Sequence, residues 1–485
     1  MVGSRDLSRR GFLRMGMLTT GALCVGSAVA GCAATPAAPA VEEKATEVAT
    51  VAKEEPKAAA EAVKILIQAP AQTLDDKKYY EELVYPRFRE KHPDIEVEME
   101  LGPWGEVMEK QKMQLAAGDA ADCFLNDNLF TIEYAERGVL RDLTPYFELD
   151  ADEFRNKIAA WQSGFDVEGK CWAMPRGCHC STTLYNRVIF EKMGIDPPSP
   201  DLKWNPDDGG TFLELLMALT VDKNGKHPSD PGFDPESIEQ WGYLSQNNGS
   251  AEDLWTKTVQ NGGTYLDETR TKSRINSTET SGALEFCIDL VHRYHVSPTP
   301  DEQQMYTVSQ FVPAFCAGKV AMLHLLYGHQ PGLSEVTDVF DPVAAIIEKG
   351  PAGRFSALFE HHLYVWQGSK HPDAAWAWIR NHLLDVEVQV GLVTVSHFQL
   401  PVHKDALSDP RLLEPQEPPP SDISPWLDIP LNDYGVDFEL NAVYLDIYLQ
   451  VHKSMSYAFE GEWTAEQAVE DAHTQCQEIL DRRYA

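Results

Sequence analysis

From Val63 to Asp127 the sequence switches repeatedly between two periods, and that alternation restricts the fold more than any other feature. Val63-Lys64-Ile65-Leu66-Ile67 is a short apolar run ending in Gln68-Ala69-Pro70 and reads as a strand. Asp75 to His92 carries Tyr79, Leu83 and Phe88 on one face and stops at His92-Pro93, which predicts a helix. Ile95 to Leu101 alternates apolar with acidic residues, the pattern of a strand exposed on one face. Trp104 to Ala117 predicts a second helix, closed by Gly118, and Ala121 to Leu125 a buried strand running into Asn126-Asp127-Asn128. A βαβαβ order predicts an α/β fold built on a mostly parallel sheet with right-handed crossovers. In such sheets ligands sit beyond the carboxyl ends of the strands.

The segment ahead of this body has another character. Arg5, Arg9, Arg10 and Arg14 form a basic stretch, and Met15 to Gly31 has no charge and many small residues. That order is the order of an export signal rather than of a stable membrane span. Ser8-Arg9-Arg10-Gly11-Phe12-Leu13 resembles a twin-arginine signal, which a translocase reads as an address. Ala28-Val29-Ala30-Gly31-Cys32 resembles a bacterial lipobox, so residues 1–31 read as a lipoprotein signal peptide and Cys32 as the lipidated residue. A diacylated cysteine gives the two-chain attachment that stable anchoring needs. Residues 32–62 are rich in Ala, Pro, Val, Glu, Lys and Thr with no aromatic, and read as a tether. The chain is expected to be exported and held by lipid at the outer face of the cytoplasmic membrane, or in the periplasm.

The whole chain carries 41 Lys and Arg against 75 Asp and Glu, a formal charge of −34, and four of those bases lie in the signal. Such a surface excludes nucleic acid as a partner, because phosphate contacts need cations. It equally excludes a polybasic membrane patch, leaving the lipid as the only membrane contact. The body beyond the tether is large enough for two domains of ordinary size.

Seven cysteines follow Cys32: Cys123, Cys171, Cys178, Cys180, Cys287, Cys316 and Cys476. Cys171, Cys178, His179 and Cys180 are dense enough to raise a soft-metal site, a local disulfide, or plain thiols. Adjacent Cys-His-Cys residues fit no standard zinc spacing. Asp222-Lys223-Asn224-Gly225-Lys226 has the start of a calcium loop without its later ligands and reads as a solvated turn. No metal or other cofactor is expected.

Several segments then resemble one family. KILIQAP, KHPDIEVEMELG, KQKMQLAAGDAADCFLNDN and AERGVLRDLTPYF are followed by EGKCWAMPRG and TTLYNRVIFEKMGIDPP, and later by NGGTYLD, AFCAGKVAMLHLLYG, HHLYVWQGSKHPDAAWAWIRNHL and TAEQAVEDAHTQCQEIL. In this order they resemble the extracellular solute-binding proteins of the carbohydrate-binding type, which feed ABC importers. The resemblance implies a two-lobed periplasmic-binding-protein type II fold, a ligand cleft between the lobes and closure about a hinge. By analogy, residues 63–175 plus 318–370 form the first lobe and residues 176–317 plus 371–485 the second. It also implies a monomer whose partners are a carbohydrate, expected to be an oligosaccharide, and the transmembrane subunits of an ABC permease.

A carbohydrate presents hydroxyls and weakly apolar C–H faces, so its site needs aromatic rings and polar side chains in loops at strand ends. Gln68 follows the first strand, Trp104 opens the second helix, and Asp127 and Asn128 follow the third strand. His179 lies with Arg176 and Ser181 near the crossing into the second lobe. Trp241 and Tyr243 lie in a strand-like run and Trp255 in the helix after it. Tyr327 and Gly328 end the strand KVAMLHLLYG, and Glu360 and His361 precede HHLYVWQ-type apolar residues. These twelve positions, Gln68, Trp104, Asp127, Asn128, His179, Trp241, Tyr243, Trp255, Tyr327, Gly328, Glu360 and His361, are the expected ligand contacts. Core packing is the competing reading for the aromatics, and helix capping for Asp127.

Binding of a polyol, a glycerol phosphate or a metal competes with this reading; few bases fall in the expected loops, which weighs against phosphate. A surface glycosidase with two carboxylates is the enzymatic alternative. The sequence has no G-x-S-x-G, HExxH or P-loop motif, and the expectation is a binding protein and not an enzyme.

Overall fold

The structure is a computed structural model that describes residues 62–159, 169–245, 251–306, 312–336, 340, 342–417 and 420–484. The signal, Cys32 and the tether lie outside the described residues. The early elements form where the two periods place them. Strand β1 is Val63–Pro70, β2 is Ile95–Gly102 and β3 is Cys123–Asp127. The helix between β2 and β3 runs Trp104–Ala117 and ends on Gly118 at φ 70°, a left-handed cap that a side chain would strain. The first helical stretch is continuous in position but changes its winding. It is α-helical over Leu74–Lys78, a π-helix over Tyr79–Val84 and α-helical again over Tyr85–Lys91.

The later strands are β4 Met174–Asn186, β5 Val221–Asp222, β6 Ile238–Ser245, β7 Val320–Leu326, β8 Pro342–Ala345, β9 Ser356–Val365 and β10 Gly435–Val436. They join one sheet in the order β2-β1-β3-β9-β4-β7-β6-β5, with β8 on β4 and β10 on β9. The expectation of a mostly parallel sheet is corrected. β1 is parallel to β2 and β3, and β6 to β7, but β9 runs antiparallel to both β3 and β4, and β4 antiparallel to β7 and β8. Crossover helices enforce parallel pairing only between consecutive strands. β9 enters the sheet from far along the chain, so nothing local sets its direction.

β4 joins the two halves of the sheet. Its first residues, Met174 to Cys180, pair with β9, and Ser181 to Tyr185 pair with β7. All 13 of its residues are buried, as expected of a strand covered on both faces. β7, grouped above with the first lobe, lies between β4 and β6. The seven cysteines from Cys123 to Cys476 are buried and stand outside any disulfide. Cys178 and Cys180 lie against the carbonyls of Pro401 and Trp426, so the dense cysteine segment forms no disulfide. Among the described residues no group of three His, Cys, Asp or Glu side chains is placed to hold a metal, and no helix is long and apolar enough to cross a membrane.

The C-terminal helices Tyr444–Phe459 and Ala465–Tyr484 pack on a core that includes Trp255, Tyr265 and Phe438. Beside it, the Glu439 carboxylate accepts the backbone N–H groups of Tyr265 and Leu266, each at 2.8 Å. Burial pushes this carboxyl up from 4.5 to about 7, although the backbone donors pull the other way. The folded chain therefore holds the proton through a range where the unfolded chain has released it. The associated stability is fully present below about pH 4 and is lost as pH rises through about 7. Glu439→Gln is expected to flatten the fall in urea midpoint between pH 5 and pH 7.5. Parallel falls in the variant and the wild type would contradict this role.

Candidate functional site

Strand alternation gathers the candidate site on one face of β3, β9 and β4. Asp127 is the register partner of His361, and Phe359, two residues before His361, is the partner of His179. The four side chains form a row across three strands. His361 Nε2 lies 3.0 Å from Asp127 Oδ1, and the His179 ring stacks on Phe359 at 5.0 Å and sits 4.6 Å from the His361 ring. Two residues from outside these strands close over the row. Trp104, at the first turn of its helix, places its ring 4.6 Å from His361, and Phe398 meets His179 edge-on at 5.1 Å. Phe398 follows His397, whose φ of 56° is uncommon for a residue with a side chain. Gly328 completes the surround: a Cβ there would lie 2.8 Å from His179 Cε1, so this position accepts no side chain while the ring stays in place.

The site is apolar at its walls and polar at its centre. Trp104 and Phe398 are half-buried, His179 and His361 are 2% and 3% exposed, and the Asp127 side chain keeps 22%. Burial pushes the Asp127 carboxyl up to about 7, against the nearby charge of His362. Burial, followed by the charges of Arg176 and His362, holds the His361 ring far below 6.5; burial, then His361, His329 and Arg176, does the same to His179. Arg176 itself is fully buried, with its guanidinium over the rings of Tyr79 and Tyr80 at 5.2 and 5.3 Å. It acts on the histidines as a fixed positive charge behind the site.

Of the twelve expected contacts, the structure brings together Trp104, Asp127, His179, Gly328 and His361. Glu360 points to the opposite face from His361, is fully buried and lies 2.9 Å from His362. Gln68 donates to Glu100 at 2.8 Å and to Gln114 at 3.0 Å, tying β1 to β2 and the next helix. Asn128 is fully buried where a short 3-10 turn leaves β3.

The remaining aromatics are core residues. Trp241 packs in the main core, and Tyr243 meets Phe212 edge-on at 5.2 Å. Tyr327 meets Trp426 at 5.6 Å. Trp255 is 1% exposed, sits 5.0 Å from Tyr265 and donates its N–H to the Val436 carbonyl. Trp255→Ala is therefore expected to cost about 3–5 kcal/mol of stability, read from the denaturant midpoint. An unchanged midpoint would remove Trp255 from the core.

Phe359 and Phe398 pack in the candidate row and are not among the twelve positions expected from sequence. Phe359 was accessible from the alternation of SALFEHHLYV, since it shares a face with His361. Nothing in HFQLP marks Phe398, whose position depends on the backbone of His397.

Polar side chains under aromatic walls, at the strand that joins the two halves of the sheet, make this row the candidate binding site among the described residues. The fold is that of known binding proteins. A cyclic alpha-maltosyl-1,6-maltose binding protein from Arthrobacter globiformis superposes with a TM-score of 0.69 at 17% identity, covering 87% of this chain and 100% of that one. The ABC substrate-binding protein of Listeria monocytogenes, solved in complex with cycloalternan, gives 0.68 at 22% identity, covering 87% of this chain and 99% of the other.

Residues 71–388 match the model of the bacterial extracellular solute-binding proteins, and the chain belongs to that family. A binding protein of Brucella abortus (strain 2308) is 26% identical over 300 residues, which are 61% of this chain and 66% of that protein, just under two thirds of its length.

Proposed function

We propose that this chain binds an uncharged oligosaccharide at the Trp104–Asp127–His361 row and hands it to an ABC permease. The observation that carries the reading is the composition of the row. A half-buried indole offers a face for sugar C–H groups, and a carboxyl group and imidazoles beside it offer partners for hydroxyls. The neighbours solved with, or named for, cycloalternan and cyclic maltosyl-maltose support an oligosaccharide over a polyol. On this reading the parts of the sheet on either side of β4 belong to two lobes, and ligand stabilises their closed arrangement. The same reading has residues 1–31 removed as a twin-arginine lipoprotein signal, Cys32 lipidated, residues 32–62 as the tether, and a monomeric body that performs no catalysis.

The experiment is thermal unfolding of the purified full chain against neutral oligosaccharides, polyols, glycerol phosphates and divalent metals. Ligand at 100 times its Kd adds about 2.7 kcal/mol to the folded state. A rise in Tm with a neutral oligosaccharide is expected. A rise only with a phosphate or a metal ion would overturn the reading.

A further inference from the structure

The row contains buried hydrogen-bonding groups without partners, as the fully buried His382 does elsewhere, but here they lie at the candidate site. Among the described residues, neither Nδ1 nor Nε2 of His179 has a hydrogen-bond partner, and Nδ1 of His361 has none, though both side chains are almost fully buried. Each buried polar atom left unmade costs about 1–3 kcal/mol, and buried polar groups are normally paired. The three bare nitrogens lie on two rings 4.6 Å apart, directly beneath the half-buried Trp104 and Phe398. Phe359 fixes the plane of His179 from one side, and Gly328 leaves just the room that the ring fills. His179 is thus a ring of fixed orientation at the candidate site, with both nitrogens unpaired among the described residues.

We propose that His179 is a specificity-determining residue that takes one hydroxyl of the ligand, accepting from or donating to it, while His361, oriented by Asp127, takes a neighbouring one. The inference rests on the reading of this row as an oligosaccharide site. Burial and the charge of Arg176 oppose protonation of both rings. A neutral imidazole offers one donor and one acceptor, which matches a hydroxyl, itself both donor and acceptor. The pair is therefore sensitive to the presence of individual ligand hydroxyls. A site built to bond a hydroxyl rejects the analogue that lacks it, because its own buried groups are then left unpaired.

The test uses the full chain, a neutral oligosaccharide that raises its Tm, and that sugar's single-deoxy analogues, with Kd from calorimetry. His179→Phe keeps a ring of similar shape and removes the hydrogen bonds; His179→Gln keeps a donor and an acceptor. His179→Phe is expected to weaken the parent sugar at least tenfold, and His179→Gln less. For one deoxy position, the affinity lost by the wild type should be absent in His179→Phe, a coupling that a purely structural role would not produce. His361→Gln should couple to a different position. If the wild type binds the sugar and His179→Phe binds all analogues with the wild-type pattern, the inference fails and the oligosaccharide reading stands. If no neutral sugar binds the wild type, both fail. Should His179→Phe unfold, the same deoxy comparison in His179→Gln decides, and a pattern identical to the wild type's overturns the proposal.

Discussion

Lys257→Met, which removes one member of a buried ion pair, is expected to cost about 3–5 kcal/mol of folding stability. Lys257 lies in the helix Ala251–Gln260 and bonds Glu348; the two side chains are 4% and 0% exposed. The ammonium also sits over the rings of Phe212 and Trp204, at 4.7 and 5.1 Å. Glu348 accepts a second hydrogen bond from the Thr183 hydroxyl at 3.0 Å. Burial alone would raise the Glu348 carboxyl, but Lys257 and His324 outweigh it and hold it below its usual range. The pair therefore fastens β4, through Thr183, to the helix and to the segment after β8, within the half of the sheet that lies beyond the candidate site.

Nearby, Tyr243, Asp253 and His324 line a cavity of about 10 Å³, room for one water. Removing only the cation strands a buried carboxylate. The double variant Lys257→Met/Glu348→Met should recover most of the loss, since apolar replacement of both partners is often near neutral. Recovery should be incomplete, because the Thr183 hydroxyl then loses its acceptor. Denaturant midpoints of the two variants check this. A single variant costing under about 1 kcal/mol would place the pair in solvent instead.

Trp104→Ala is expected to weaken oligosaccharide binding by roughly 30- to 1000-fold, the about 2–4 kcal/mol typical of truncating a central aromatic contact. The fold should survive. Trp104 is half-buried at the start of its helix, whose buried residues are Val107, Met108, Gln111 and Leu115. The ring's 4.6 Å contact with His361 also holds that imidazole beneath it, so some of the loss reflects a loosened row. Trp104→Phe, which keeps a flat face, should retain most of the affinity. Calorimetry gives both numbers, and equal affinity in Trp104→Ala and wild type would remove the row from the binding surface.

The two kinds of residue in these predictions differ in how far the sequence reveals them. Strands β1 to β3 and the helix Trp104–Ala117 follow from local periods, because each element's buried face repeats within a few residues. The antiparallel course of β9 is not legible, since its partners β3 and β4 come from elsewhere in the chain. The same limit explains the site. Asp127 and His361 are visible as polar residues at strand ends, but only pairing across the sheet brings them to 3.0 Å. Trp255 and Tyr327 looked equally suited to a ligand. Their core partners, Phe438 and Trp426, lie far along the chain, and no local pattern separates a ring covered by such a partner from one left open. Glu360 and His361 are adjacent in sequence, yet the strand period of two sends them to opposite faces.

The row on β3, β9 and β4 is expected to bind a neutral oligosaccharide. Calorimetric titration of the purified full chain, wild type and Trp104→Ala in parallel, with linear and cyclic neutral oligosaccharides tests it most directly. Saturable one-to-one binding of at least one of them by the wild type is expected, with its loss or severe weakening in the variant. Tight binding that Trp104→Ala leaves unchanged, or binding of charged solutes alone, would contradict it.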